Sequence, residues 1–239
     1  MKNIFLLLFI FPTLFYSQNY QNRGEFIDYN ICDMCEQPTY KIIGWSRKGN
    51  IAYLKNTGFG GYGGCMYEIF ILNLGSDKVL NKILLGGDSP GDEQTSENSC
   101  DIDYLWRKKQ KSINDLLGYY EISNGFFGDL IEQNRVESST GHYSFKLSTT
   151  ILSTYDNYEC EGENKLKYDL KVYHNSKAVT VSKNYSLNAG SIEILGYYKS
   201  PVEDRILIIL QYSNMGCMEF DHYADIIMVG CELNPKWWD

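Results

Sequence analysis

The chain has 239 residues, 44% of them apolar and 15% aromatic, with 22 Lys and Arg against 30 Asp and Glu. That apolar share is too high for a disordered chain, and a net charge of −8 leaves no broad basic surface for nonspecific nucleic-acid binding. The length allows one or two domains with a sizeable core.

At the N-terminus, Lys2 is followed by the apolar run Ile4–Phe11, extended through Leu14, Phe15 and Tyr16. A short positive start before about 7–15 apolar residues is the form of a secretory signal peptide. It is shorter than the about 20 residues that span a bilayer comfortably. Residues 1–17 are therefore expected to be removed, leaving 18–239 as one β-rich domain in the periplasm or outside the cell. No stable membrane span remains in that mature chain, and no cysteine precedes Cys32 to accept a lipid.

Export makes Cys32, Cys35, Cys65, Cys100, Cys160, Cys217 and Cys231 disulfide candidates. Seven is odd, so at least one thiol is left over, and the spacing leaves the connectivity open. Cys32-Asp33-Met34-Cys35 is a CxxC. Asp33 and Glu36 would raise its thiol pKa, Pro38 argues against a following helix, and no second pair completes a zinc site. A structural bridge is expected there.

From Gly44 to Asn50 the chain reads as a turn, and Ile51–Leu54 as a strand. The glycines of 58–63 match a dinucleotide fingerprint in letters. A strand pattern follows them where that fingerprint needs a helix, so an inter-strand loop is expected and no cofactor. Tyr67–Leu74 is a strand, Gly75–Lys78 a hairpin turn and Val79–Leu85 the return. This meander resembles a β-propeller blade. The Trp45-Ser46 turn ending at Gly49 carries the resemblance, together with the turn from Asn73 to Lys78.

Asp88, Asp92 and Glu93 begin an acidic stretch that is a weak calcium candidate; the Asp-x-Asp-x-Asp-Gly spacing is missing, and a solvated loop is expected. Ile102, Leu105, Trp106, Ile113, Leu116 and Leu117 then recur at helical spacing. Asp101 or Asp103 can cap that helix, and Gly118 suits its stop.

Tyr168–Tyr173 turns at His174–Lys177 into Val179–Ser182, and Leu195–Pro201 leads into the apolar run Arg205–Leu210. Met215-Gly216-Cys217-Met218 follows, parallel to Gly63-Gly64-Cys65-Met66, and each precedes a long apolar strand. Ile51–Asn56 with Tyr67–Leu74 is thus expected to superpose on Arg205–Tyr212 with Ala224–Leu233. Apolar content on both faces places these strands inside sheets. A closed propeller needs at least four blades, more than the two or three units present. The fold class is mainly β (α+β), with antiparallel meanders in two or three degenerate repeats and one inserted helix near 102–117.

Chemistry motifs are sparse. His142, His174 and His222 form no metal or catalytic array, and no nucleophile motif occurs. Glu203 with Asp204, and Glu219 with Asp221, are carboxylate pairs of the kind any acidic protein offers. Phe59, Tyr62, Trp237 and Trp238 are candidate exposed contacts, because flat rings with polar tips suit sugar and peptide surfaces. The pairing of Gly44-Trp45-Ser46 near the start with Gly196–Pro201 near the end resembles uncharacterised exported bacterial proteins, which implies export. The expected function is binding or scaffolding through inter-strand loops, without catalytic residues, toward a glycan or protein of the cell envelope. The alternative is a secreted hydrolase of glycans or peptides that uses two carboxylates about 5–10 Å apart.

Overall fold

Three antiparallel meanders follow one another along the chain. The computed structural model describes residues 27, 37–57, 65–88, 100–123, 129–154, 164–214 and 223–233. In the first sheet, β1 (Thr39–Trp45), β2 (Asn50–Asn56), β3 (Cys65–Asn73) and β4 (Lys78–Asp88) lie in chain order. Helix α1 (Ile102–Tyr119) comes next. The second sheet holds β5 (Arg135–Ser138), β6 (Gly141–Thr154), β7 (Asn164–His174) and β8 (Lys177–Asn188), again in chain order. In the third, β10 (Arg205–Asn214) lies between β9 (Ser191–Lys199) and β11 (Tyr223–Glu232).

Side-chain alternation stacks these sheets in an order the chain does not follow. Along β10, Leu207 and Ile209 pack with Ile42, Ile51 and Leu72 of the first sheet. Ile206, Ile208 and Leu210 pack with Phe145, Leu170 and Val172 of the second. The third sheet is therefore the middle layer. The far face of the first sheet, through Ile43, Leu54, Ile69 and Ile71, is covered by Leu105, Trp106, Ile113 and Leu117 of α1. The result is four layers: α1, first sheet, third sheet, second sheet. Residues Ile206–Leu210 are each 0% exposed. At about 1.5–3 kcal/mol per fully buried aliphatic side chain, this one strand carries a large share of the hydrophobic stabilisation. The expectation of an interior strand holds for β10, and the continuous apolar run is its cause. It fails for Ala224–Leu233, because β11 is an edge of the third sheet whose apolar residues are covered by the layers on either side.

Close approach between layers demands glycine. A Cβ on Gly230 would lie 2.1 Å from the Leu74 carbonyl oxygen, so only glycine lets β11 reach the end of β3. In β1, the register shifts between Ile42 and Gly44. The bulge returns Trp45, 0% exposed, to the face that Ile42 uses, although the two are an odd three positions apart. The turn expected over Gly44–Asn50 thus starts later, because Gly44 and Trp45 still belong to β1.

The helix forms as its spacing predicts. The Asp101 carboxylate accepts the backbone N–H groups of Asp103 and Tyr104 at 2.9 and 3.1 Å. Gly118 is not the stop. The helix runs on to Tyr119, and Glu121 takes the left-handed conformation at φ 54°. Ile122 N–H then donates to Leu117 C=O at 2.8 Å and Glu121 N–H to Gly118 C=O at 3.1 Å, a Schellman ending built without glycine. Ser123 pairs with Trp45, which ties the helix exit to β1. No described helix is long and apolar enough to cross a membrane.

Cys65, first residue of β3, is bonded to Cys100 beside the helix cap, so one bridge joins the first sheet to α1. Cys231 was a candidate for pairing; it is instead an unbridged thiol buried on β11 against the second sheet. Burial pushes it up to about 12, against the Arg205 charge that lowers it, so it behaves as an apolar core group. Cys32, Cys35, Cys160 and Cys217 lie outside the described residues. The β2–β3 and β10–β11 units are both antiparallel pairs in adjacent layers.

Candidate functional site

β5 is one edge of the second sheet and β9 one edge of the third. Residues of both edges line a cleft of about 750 Å³, within the size range of ligand sites. Its lining includes Arg135, Glu137, His142, Tyr173, Tyr197 and Lys199.

The sequence builds this place locally. Ser138 pairs with Gly141, so Ser139 and Thr140 form the β5–β6 turn. The Thr140 hydroxyl and the Tyr143 hydroxyl both donate to Leu233 C=O, at 2.7 and 2.9 Å, which fixes the hairpin to the end of β11. A Cβ on Gly141, whose φ is +131°, would meet the His174 ring at 2.6 Å. Glycine thus admits His174, which stacks on Tyr143 with centroids 4.5 Å apart. On the other wall, Ile131 exchanges both backbone hydrogen bonds with Tyr197, at 3.0 and 3.1 Å. Gly196 permits this approach, since a Cβ there would be 2.6 Å from Ile131 C=O. Tyr197 meets Phe145 edge to face at 5.5 Å and closes the cleft beneath.

The charges are unevenly matched. Lys199 Nζ donates to the backbone carbonyl of Glu137 at 3.1 Å, and Arg135 makes no ion pair among the described residues. Neither cation therefore has a carboxylate partner among these residues. The Glu137 carboxylate lies 3.6 Å from His142 Nδ1, with both side chains exposed. Burial, then the Glu137 charge, raises the Tyr197 phenol above its usual value, so it stays a neutral hydrogen-bonding group. Glu137 is the one acidic side chain among the described residues of the lining. Ser144 also lines the cleft, yet no hydrogen bond joins it to a base among the described residues.

The residues singled out in the sequence are distributed otherwise. Phe59, Tyr62, Trp237 and Trp238 lie outside the described residues, as do Asp92 and Glu93 of the calcium candidate. Asp88 ends β4 opposite Cys65, and no group of three or more His, Cys, Asp or Glu suited to a metal occurs among the described residues. Glu203 and Asp204 do not face one another as a catalytic pair. Glu203 turns to Arg205 Nε at 3.2 Å, and Asp204 accepts from the Ser139 hydroxyl. Glu219 and Asp221 lie outside the described residues. His142 and His174, 32 residues apart, become neighbours through the β6–β7 register, His174 Nδ1 lying 3.1 Å from His142 C=O.

Sequence reasoning passed over Arg135 and the whole β5–β6 hairpin. A signal was present: His142-Tyr143-Ser144-Phe145-Lys146-Leu147-Ser148 alternates polar and apolar residues as a half-buried strand does. A search of family models, curated proteins and solved structures gave no match to this chain.

Proposed function

We propose that this chain is an exported, non-enzymatic binding domain whose ligand carries an acidic group and sits in the cleft between β5 and β9. One observation carries the reading. Arg135 and Lys199 line the same cleft without a carboxylate partner among the described residues, in a protein whose net charge is −8. An unneutralised pair of cations on an acidic molecule marks a place where an anion is favoured. The flat rings of Tyr173 and Tyr197 add apolar contact beside the charges. Glycoside hydrolysis needs two carboxylates across a cleft, and the described lining supplies Glu137 alone, which disfavours the hydrolase alternative.

Export is supported by the Lys2 and Ile4–Tyr16 pattern and by the Cys65–Cys100 bridge, because disulfides persist in oxidising compartments. The β2–β3 and β10–β11 pairs, both antiparallel and in adjacent layers, are compatible with descent from one repeated unit; Cys65 begins β3, and Cys217 lies outside the described residues. Recovery of full-length chain in the membrane fraction, in place of secreted protein starting near Gln18, would refute export.

The binding reading is tested by thermal shift and calorimetry with an oligomer of uronic acid and a neutral oligosaccharide of equal length. The acidic oligomer is expected to raise Tm and bind, while the neutral one does neither. Arg135→Met with Lys199→Met should weaken binding at least tenfold and leave the unliganded Tm within a few degrees. Equal binding of both oligomers, or an unaffected double variant, overturns the reading.

A further inference from the structure

We infer, building on that binding reading, that the ligand is an extended acidic peptide which adds as a strand to the open edge of β5. Phe145 N–H donates to Asn134 C=O at 2.8 Å, which makes Asn134 and Phe145 a hydrogen-bonded pair. Pairs alternate along an antiparallel ladder, so Val136 and Tyr143 are the next such pair. Arg135 and Glu137 therefore aim their backbone N–H and C=O groups away from β6, into the cleft. The Lys199 contact to Glu137 C=O agrees with this, since a carbonyl already paired with β6 would face the other way.

β9 behaves in the same way across the cleft. Tyr197 spends its outward N–H and C=O on Ile131, and Lys199, two residues on, has the same outward parity. Its neighbour Ser200 instead turns inward, donating to Arg205 C=O at 2.8 Å. Two sheet edges thus border one cleft. The Ile131–Tyr197 bridge is already a short strand addition of the kind proposed, made by the chain itself. A guest strand beside β5 would pair with Arg135 and Glu137 through main-chain groups. An acidic side chain on it would lie between the Arg135 and Lys199 charges, and alternate apolar side chains would meet Tyr197, Val136 and Ile131. Main-chain pairing favours peptide over sugar, because a glycan cannot continue the ladder.

The test uses the mature chain and an end-capped hexapeptide, Thr-Val-Glu-Val-Thr-Val, followed by calorimetry at neutral pH and low salt. Three companion probes are the Gln-for-Glu peptide, the peptide N-methylated at alternate amides, and the uronic acid oligomer. Saturable binding of the parent is expected, weakened at least tenfold by Gln and at least tenfold by N-methylation in one of the two alternating sets. N-methylation without effect in either set, or a parent peptide that does not bind, overturns the inference. Should the uronic acid oligomer bind where the peptide fails, strand addition falls and the acidic-ligand cleft stands. Failure of both ends both readings. A dimer in sedimentation that the peptide does not displace would assign the edge to a second copy of the chain and likewise overturn the proposal.

Discussion

β10 and β6 are both long antiparallel strands that share the same core, and they reach it by opposite patterns. β10 lies in the middle of the middle layer, and Ile206–Leu210 are buried on both faces. β6 lies in an outer layer. Tyr143 and Phe145 point inward at 2% and 4% exposure, while Lys146 faces solvent and Ile151, near its end, is 58% exposed. Layer position therefore decides how much one aliphatic side chain is worth. It also decides where function can sit. A strand buried on both faces and paired on both sides offers nothing to a ligand, whereas the short edge β5 beside β6 presents backbone groups and charge.

The largest test of this contrast is Ile208→Ala against Ile151→Ala. Removing the β10 side chain should cost about 2–5 kcal/mol, because it is fully buried between the third and second sheets and leaves a cavity there. The β6 change should stay within about 0.5 kcal/mol. Urea unfolding measures both. Similar losses would break the layer argument.

A middle-sized effect concerns the charged end of β10. Arg205 stands between Glu203, at 3.2 Å, and Glu232, at 3.3 Å. Asp77, in the β3–β4 turn at φ 51°, accepts the Gly230 N–H at 2.8 Å and links the first sheet to the third. Burial pushes the Asp77 carboxyl from 3.8 up to about 6, with the Gly230 hydrogen bond and the Arg205 charge opposing. A carboxyl whose pKa is raised by folding binds its proton more tightly when folded. Its burial cost is present in full above about pH 6 and is relieved as pH falls from there toward 3.8. Glu203 is raised as well, by burial first, and works in the same direction. Asp77→Asn keeps the acceptor, tolerates the positive φ and removes the charge. It should stabilise the protein at pH 7.5 by on the order of 1 kcal/mol, after discounting the solvent-screened part of the shift. The advantage should shrink on acidification to pH 5. Thermal melts across that range check it, and a constant advantage would show that the charge is not the cause.

The smallest effect lies at the surface, where neither layer packing nor burial acts. Glu121→Gly relieves a non-glycine residue held in the left-handed conformation, for a gain of about 0.5–1 kcal/mol. The exposed Lys48–Glu121 pair it removes contributes little. A lower Tm for this variant would mean that the ion pair outweighs the backbone strain.

Several elements were legible because their signals are local. The helix needed only the spacing from Ile102 to Leu117 and the Asp101 cap. Arg205–Leu210 could be placed inside a sheet because no residue in it alternates with a polar one until Gln211. β1 was hidden for the opposite reason, since its bulge breaks the period of two and the Gly44-Trp45 pair reads as a turn. The end of α1 was misplaced at Gly118 because Glu121, held by its Schellman bonds, does the work that sequence statistics assign to glycine.

The candidate site was far less legible. Its parts come from Arg135, His142, Tyr173, Tyr197 and Lys199, spread over four strands in two sheets. No motif spacing joins them, and the His142–His174 contact exists only through the β6–β7 register.

By itself, then, the sequence determined the β2–β4 and β7–β8 hairpins, the helix and the burial of β10. Each of these depends on the periodicity of neighbouring residues, which every short segment carries. Only the tertiary structure decided that the last meander is inserted between the first two. It also paired Cys65 with Cys100 while leaving Cys231 unbridged, and brought the edges of β5 and β9 to one cleft. Those outcomes depend on which faces meet once all the sheets compete for the same apolar contacts, and no single segment contains that information.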